Sequence, residues 1–160
     1  MKYRMCEQML AIGDDYWIET ADGRPAFKVD GKALRIRKTL VLETPDGDAV
    51  LTIRKRMLSI RNEMEIERDG KTLATVTKAL VAPLHDRFSI EIENDGDMEA
   101  RGDISDHEYE IDRGGHKVAE VSKRWFRMRD VYGIDIAEAQ DDALILAVTV
   151  CVGQMSHNAG

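Results

Sequence analysis

The chain has 160 residues, of which 43% are hydrophobic and 33% are charged, and its formal net charge is −7. This composition excludes an intrinsically disordered chain, and the length fits one domain with a sizeable core rather than two. The acidic balance disfavours unaided binding to nucleic acid or anionic membranes, so an anionic ligand requires a local basic patch. We therefore expect one domain over residues 1–155, followed by a polar tail over 156–160, and no nucleic-acid partner.

The start of the chain and its two cysteines indicate a cellular location. Glu7 and Gln8 interrupt the first segment, which therefore lacks the continuous apolar stretch of a secretory signal. Cys6 and Cys151 have no ligand-type spacing, and Cys151 lies in an apolar run that favours a buried, inert thiol. We expect a reduced, cytoplasmic protein without a cleaved targeting peptide, either free or peripheral at a membrane.

Turn signals recur throughout the first 136 residues. Asp-Gly or Gly-Gly pairs occupy positions 22–23, 30–31, 46–47, 69–70, 95–96 and 114–115. Between them, segments such as 50–53, 88–92 and 109–111 alternate apolar and polar residues, which is typical of strands with one buried face. Most of this region is therefore predicted to be antiparallel sheet built from hairpins.

The sequence also repeats itself. EIERDGKTLATVTK at 65–78 aligns without gaps to EIDRGGHKVAEVSK at 110–123, and a fainter copy, PDGDAVLTIRK, occupies 45–55. The two clear copies are followed by similar segments at 88–92 and 132–136. An open solenoid or propeller is one alternative, but few, diverged copies favour a single closed sheet, which also leaves no exposed edges.

Each copy of the repeat ends in a lysine that continues an apolar row, because residues two apart in a strand face the same way. These are Lys55, Lys78 and Lys123. In the favoured interpretation their stems lie over the core while each ammonium reaches a barrel rim or a nearby acid. Candidate acids are Glu43, Asp86 and Asp135.

A second interpretation makes the same lysines functional. Together with neighbouring arginines they would form a shared basic mouth where a phosphate or carboxylate docks. The candidate anion-binding residues are Lys55, Lys78, Lys123, Arg54, Arg56 and Arg124.

The long apolar run near the C-terminus, DDALILAVTVCVGQM, fits either a buried strand or a helix. Asp141 is a candidate N-cap, Asp142 suits the first turn, and Gly153 is placed to end a helix. Thr149 is placed to donate a hydrogen bond to the Ile145 carbonyl. Such a helix would span roughly 17 Å, less than the roughly 30 Å of a bilayer core, so we expect the protein to enclose it.

Three segments together resemble a known family over nearly the whole chain. They are GDDYWIETADGRPAFKVDGKAL from Gly13, GDISDHEYEIDRGGHKVAEVSKRWF from Gly102 and DVYGIDIAEAQDDALILAVTVCV from Asp130. In this order they resemble the LURP-one-related family, which belongs with the Tubby C-terminal and phospholipid-scramblase domains. The resemblance implies a mainly β (α+β) fold, a closed antiparallel barrel of about 12 strands around a central hydrophobic C-terminal helix.

The resemblance implies less about activity, because the wider group includes phosphoinositide-binding Tubby domains and relatives named for lipid scrambling. The chain has no GxSxG elbow, P-loop or HExxH helix, so an enzyme is not the default. We expect a non-enzymatic binding or scaffold module without catalytic residues, cofactor or metal, whose ligand is an anionic lipid headgroup or another small anion.

Three alternatives to that function stay open. One is a protein-interaction module that uses an exposed apolar patch, and another is a scramblase-like protein. The third is a metal-dependent enzyme centred on Asp103, Asp106, His107 and His116.

Two aromatic residues lie among basic ones at 123–129, at the end of the last repeat, and this mixture could suit nucleic acid or a membrane interface. We instead expect Trp125 or Phe126 to pack into the barrel, flanked by solvated arginines.

Overall fold

The computed structural model describes residues 1–6, 15–31, 39–56, 62–79, 87–126 and 130–157. Within these ranges the chain forms strands followed by one C-terminal helix. The strands are β1 (Lys2–Cys6), β2 (Tyr16–Thr20), β3 (Pro25–Asp30), β4 (Thr39–Glu43), β5 (Ala49–Lys55), β6 (Glu63–Arg68), β7 (Lys71–Lys78), β8 (Arg87–Ile92), β9 (Met98–Asp103), β10 (Glu108–Arg113), β11 (His116–Ser122) and β12 (Val131–Ile136), and the helix is α1 (Asp142–His157).

The strands form one closed antiparallel barrel. Each strand pairs with the next along the chain, and β1 closes the sheet by pairing with both β2 and β12. Alternation places one face of each strand inside, as in β8, where Phe88, Ile90 and Ile92 are buried and the residues between them are exposed. The predicted closed barrel is confirmed, and a solenoid or propeller is excluded.

The repeated segments form equivalent hairpins. The first is β6–β7 and the second is β10–β11, and the register shifts after Ile66 in one and after Ile111 in the other. These two isoleucines align in the repeat. Because a bulge increases local strand twist, a bulge at the same place in each copy helps the sheet to curl and close.

The antiparallel order divides the connections between two ends of the barrel. The turn end carries the hairpin turns at 21–24, 44–48, 69–70, 93–97 and 114–115, and α1 follows β12 there. The loop end carries the other connections, which follow β1, β3, β5, β7, β9 and β11. The last residues of β5, β7 and β11 therefore all lie at the loop end.

Side-chain contacts fix the start of α1 at the turn end. Asp141 Oδ1 accepts a hydrogen bond from the Leu144 backbone N–H at 3.2 Å, which confirms the predicted N-cap. Asp141 Oδ2 also lies 2.8 Å from a guanidinium nitrogen of Arg68. The hydroxyl of Tyr3 donates to Asp142 Oδ2 at 2.6 Å. From these anchors α1 runs toward the loop end.

The barrel encloses the helix. Ala147 and Val148 in its middle are fully buried, and Thr149 Oγ1 donates to the Ile145 carbonyl at 3.0 Å as predicted. At about 1.5 Å per residue the helix is about 24 Å long, enough to traverse the barrel. Among the described residues, no helix combines the length and apolarity that a bilayer span requires.

The predicted end of the helix at Gly153 is wrong. The helix continues to His157, two residues into the segment assigned to the polar tail. Gly153 is buried, where backbone groups have no water to bond, so continuing the intrahelical ladder satisfies them. That gain outweighs the cost of about 1 kcal/mol for glycine within a helix.

Candidate anion-binding rim

Lys55 and Lys78 continue inward-facing rows, as the alternation predicts. Lys55 follows two buried residues of β5 and lies opposite Met64, which is also buried. Lys78 follows buried Val76 and lies opposite Phe88, which is fully buried. Both lysines are half-buried at the loop end, so their stems cover the edge of the core.

Lys123 lies just beyond β11, where a carboxylate holds the chain. Glu108 Oε1 accepts a hydrogen bond from the Lys123 backbone N–H at 3.0 Å. Its Oε2 accepts a hydrogen bond from the buried Ser122 hydroxyl at 2.8 Å, and the Arg124 Nε lies 3.8 Å from Oε1. Glu108 therefore positions Lys123. Sequence reasoning missed this role, for which the signal was its alignment with Glu63 in the repeat.

The strand order separates the three lysines around the rim. Only β6 stands between the strands of Lys55 and Lys78, which places these strands about 10 Å apart at about 4.8 Å per strand. Lys123 follows β11, which is six of the twelve strand positions from β5 and thus across the barrel. The three lysines are therefore too far apart around the rim to contact one small anion together, whereas Lys55 and Lys78 lie on strands only two positions apart.

The predicted arginines lie outside this inner rim. A guanidinium nitrogen of Arg54 is 3.4 Å from Glu67 Oε2, and Arg56 Nε is 2.9 Å from Glu65 Oε1. These residues alternate with the inward-facing ones, so they form ion pairs on the outer face of β5 and β6. Arg124 is exposed next to Glu108. The structure thus does not bring the arginines together with the lysines.

The acids proposed as structural partners of the lysines lie elsewhere. Glu43 Oε2 is 4.0 Å from Lys28 Nζ, and Asp135 Oδ1 is 4.0 Å from the N-terminal amine at the turn end. Asp86 lies outside the described residues. Within the described part of the chain, Lys55 forms no ion pair. Its charge therefore lacks a carboxylate partner there.

The helix packs against the strands that carry the lysine pair. α1 packs against β5, β6 and β7, and its C-terminus points to the loop end. A helix C-terminus carries about −0.5 of an elementary charge, which favours cations nearby. A positive charge at the loop ends of β5 and β7 therefore favours the helix C-terminus and stabilises the fold.

Behind the rim, the barrel interior holds neutral polar groups. Burial raises the pKa of Tyr16, Tyr109 and Cys151, and within the described residues the Tyr16 hydroxyl has no hydrogen-bond partner. Cys151 is fully buried, as predicted. A thiol becomes nucleophilic only when it ionises, so this interior does not supply a reactive thiolate near neutral pH.

The proposed metal cluster is not assembled. His116 begins β11 at the turn end, whereas Asp103 ends β9 at the loop end, and Asp106 and His107 follow in the β9–β10 connection. Asp103 Oδ1 accepts hydrogen bonds from the Ser105 hydroxyl and the Asp106 backbone, and His107 stacks on Tyr132 with ring centroids 4.2 Å apart. The barrel length separates His116 from the other three residues, and no metal-type group of His, Cys, Asp and Glu occurs among the described residues.

Trp125 and Phe126 pack against the outside of the barrel, so the expectation that one of them enters the core is wrong. A Cβ on Gly133 would lie 2.6 Å from a Trp125 ring carbon and 2.8 Å from a Phe126 ring carbon. Gly133 faces outward between buried Tyr132 and Ile134, so its missing side chain makes room for the two rings. The nearby Lys2 ammonium lies 5.0 Å from the Trp125 ring centroid.

A continuous apolar patch is also absent from the described surface. The large apolar residues that count as exposed there are Met1 at 59% and Trp17 at 38%. Met1 precedes β1 at the turn end, whereas Trp17 lies near the loop-end start of β2. The two side chains do not form the patch that the protein-interaction alternative requires.

Comparisons with known proteins agree with this architecture. Residues 1–153 match the family model described as LURP-one-related. The chain is similar to the uncharacterized protein YxjI of Bacillus subtilis (strain 168), at 26% identity over 154 residues that cover 96% of this chain and 93% of that protein. An X-ray structure of a protein from Arabidopsis thaliana shares the fold, with a TM-score of 0.72 and 16% identity over 97% of this chain and 91% of that one.

Proposed function

The chain belongs to the LURP-one-related family, and from this premise we propose that it is a non-enzymatic binding module that takes an anionic ligand at the loop end of its barrel. The observation that carries the proposal is the pair of half-buried lysines, Lys55 and Lys78, at the ends of inward rows only one strand apart. Partial burial limits solvent screening of their charges, which strengthens attraction of an anion.

The spacing of the lysines favours an anionic lipid surface as the source of that ligand. Lys55 and Lys78 are close enough to share one phosphate or carboxylate, while Lys123 stands across the same rim. A bilayer presents several headgroups at once and therefore engages all three positions. A free anion engages only the pair.

Vesicle sedimentation tests the proposal. We expect the protein to pellet with vesicles of phosphatidylcholine and phosphatidylserine but not with phosphatidylcholine alone. Replacing Lys55 and Lys78 by alanine lowers the partition coefficient by about fivefold for each lysine, since a basic residue at an anionic surface contributes about 1 kcal/mol. The matched control is Lys71→Ala, at the turn end of the strand that carries Lys78.

The results of this experiment distinguish a role of the lysines in binding from a role in stabilising the fold. Equal pelleting of the natural chain and the double lysine variant contradicts the proposal, as does an equal loss in Lys71→Ala. If the double variant only melts earlier, the lysines serve the helix C-terminus instead. Free inorganic phosphate, added as a competitor, displaces the protein if the pair accepts a soluble anion, and adding Lys123→Ala weakens binding further only on vesicles.

A further inference from the structure

The segment that follows β11 crosses the outside of the barrel toward β1, and we call its residues 123–126 the aromatic strap. β12 lies between β11 and β1 in the sheet, and Ser122 at the end of β11 lies opposite Gly133 of β12. The Trp125 ring lies over Gly133, and the Lys2 ammonium of β1 is 5.0 Å from the centroid of that ring. The strap therefore starts at β11, crosses β12 and reaches β1.

Hydrogen bonds to β10 and β11 fix the start of the strap. Glu108 Oε1 accepts a hydrogen bond from the Lys123 backbone N–H at 3.0 Å, and the Ser122 hydroxyl oxygen accepts one from the Arg124 backbone N–H at 3.1 Å. The Ser122 hydroxyl is buried and donates to Glu108 Oε2 at 2.8 Å. These bonds hold the backbone directly before the two aromatic rings, so β10 and β11 position the rings independently of β1.

Gly133 provides the space in which the rings lie. It is not among the glycines with positive φ, so its backbone conformation does not itself require glycine. A Cβ there would instead lie 2.6 Å from a Trp125 ring carbon and 2.8 Å from a Phe126 ring carbon. Gly133 is buried although it faces outward, because these rings cover it. A side chain at this position would therefore displace the strap.

β1 is the strand that the strap is placed to hold. Within the described residues, β1 pairs with β2 at two positions and with β12 at five, so its place in the sheet depends mainly on β12. The Lys2–Trp125 contact adds an attraction between a cation and an aromatic ring on that side. We propose that the aromatic strap holds β1 on β12, and that displacement of its rings releases β1 locally and opens the barrel at its closing strand.

Hydrogen exchange measured by mass spectrometry on Gly133→Ala tests the proposal. The added methyl group displaces the rings without changing a strap residue. We expect the β1 amides to exchange about tenfold faster, the factor set by losing aromatic contacts of about 1.4 kcal/mol, while amides of the β6–β7 hairpin keep their rates. Trp17→Ala removes an exposed indole of β2 that lies outside the strap, and it should leave β1 exchange unchanged.

A variant without the rings gives the same test without a steric clash. Trp125→Ala combined with Phe126→Ala should accelerate β1 exchange as Gly133→Ala does. Adding Gly133→Ala to this double variant should have no further effect, since the space over β12 is then empty. Lys2→Gln should accelerate β1 exchange by about threefold, whereas Lys2→Arg, which keeps the cation over the ring, should not.

Tryptophan fluorescence shows separately whether the strap has moved. The chain has two tryptophans, so Trp17→Phe leaves Trp125 as the source of emission. Gly133→Ala in this background should shift the emission of Trp125 to longer wavelength. A shifted emission with an unchanged β1 exchange rate overturns the proposal, because the strap then moves without releasing β1. Equal acceleration of the β1 and β6–β7 amides also overturns it, since the loss is then one of global stability.

Discussion

The two ends of the barrel differ in how their polar groups are used. At the turn end, charged groups are paired with protein: Asp141 with Arg68, Asp142 with the Tyr3 hydroxyl, and the N-terminal amine with the Ile136 carbonyl at 2.6 Å. At the loop end, Lys55 has no ion pair within the described residues. Other charges at the loop end are paired, as Arg56 is with Glu65 and Arg124 with Glu108, so the difference between the two ends rests on Lys55.

The helix links the two ends. Its N-terminus is capped at the turn end, and its enclosed middle fills the core between them. Its C-terminus then presents partial negative charge at the loop end, opposite in sign to the lysines. An anion at this end should therefore bind at the rim, beside the lysines, rather than on the barrel axis.

The largest expected effect comes from disrupting α1, the helix that runs from one end of the barrel to the other. Ala147→Asp places an unpaired charge on a fully buried helix position, which costs a large part of a typical stability of about 5–15 kcal/mol. We expect no soluble folded protein by gel filtration and circular dichroism. Ala137→Asp, the same change at an exposed position, should fold normally. A stable, folded Ala147→Asp variant would refute the enclosed helix.

The second prediction compares the cost of replacing one glycine by alanine at each end of the barrel. Gly102 has φ +137°, and an added Cβ would lie 2.7 Å from the Glu108 carbonyl oxygen, in the backbone beside the carboxylate that positions Lys123. Gly102→Ala should cost about 3 kcal/mol in unfolding free energy. Gly47, in a hairpin at the turn end, has φ +95° with no atom within 4 Å of such a Cβ, so Gly47→Ala should cost about 1 kcal/mol. Urea denaturation of both variants would show the order, and a reversed order would contradict the crowding at Gly102.

The smallest effects are expected from removing one tyrosine hydroxyl at each end of the barrel. Tyr3→Phe removes a hydrogen bond to Asp142 and should lower the unfolding free energy by about 1.5 kcal/mol. Tyr16→Phe removes a buried hydroxyl that has no hydrogen-bond partner within the described residues, so it should raise the unfolding free energy by about 1 kcal/mol. Opposite signs in urea denaturation at neutral pH support the comparison, whereas equal losses contradict it.

The same tyrosine predicts a pH dependence. Burial holds the pKa of Tyr16 well above 10, so above about pH 10 the unfolded chain releases a proton that the folded chain keeps. The part of the unfolding free energy that depends on this proton is fully present below the pKa of the tyrosine in the unfolded chain. It is lost progressively as the pH rises above that pKa. Tyr16→Phe should therefore flatten the alkaline fall in stability by up to about 1.4 kcal/mol per pH unit. An unchanged slope would place the hydroxyl in water.

Much of the fold was predictable because its signals are local. Asp-Gly turns and alternation predict hairpins, and the repeat predicts equivalent ones, such as β6–β7 and β10–β11. The inward direction of Lys55 and Lys78 follows from the same alternation. The end of α1 did not follow, because burial of Gly153 inside the barrel overrides its preference for a helix terminus.

The site depended on contacts between strands, which local signals do not contain. Arg54 and Arg56 looked like neighbours of Lys55, but register pairs them with glutamates of β6 on the outer face. Trp125 packed outside because Gly133 leaves space on a different strand. Each outcome rests on register or packing between segments.

Lysine footprinting by mass spectrometry tests most directly the claim that the loop end is the binding end. An amine-reactive label is applied with and without vesicles that contain phosphatidylserine. We expect the vesicles to slow modification of Lys55 and Lys78 and to leave Lys71 and Lys117, near the turn end, unchanged. Protection of Lys71 as strong as that of Lys78, or no protection of either while the protein is bound, would contradict it.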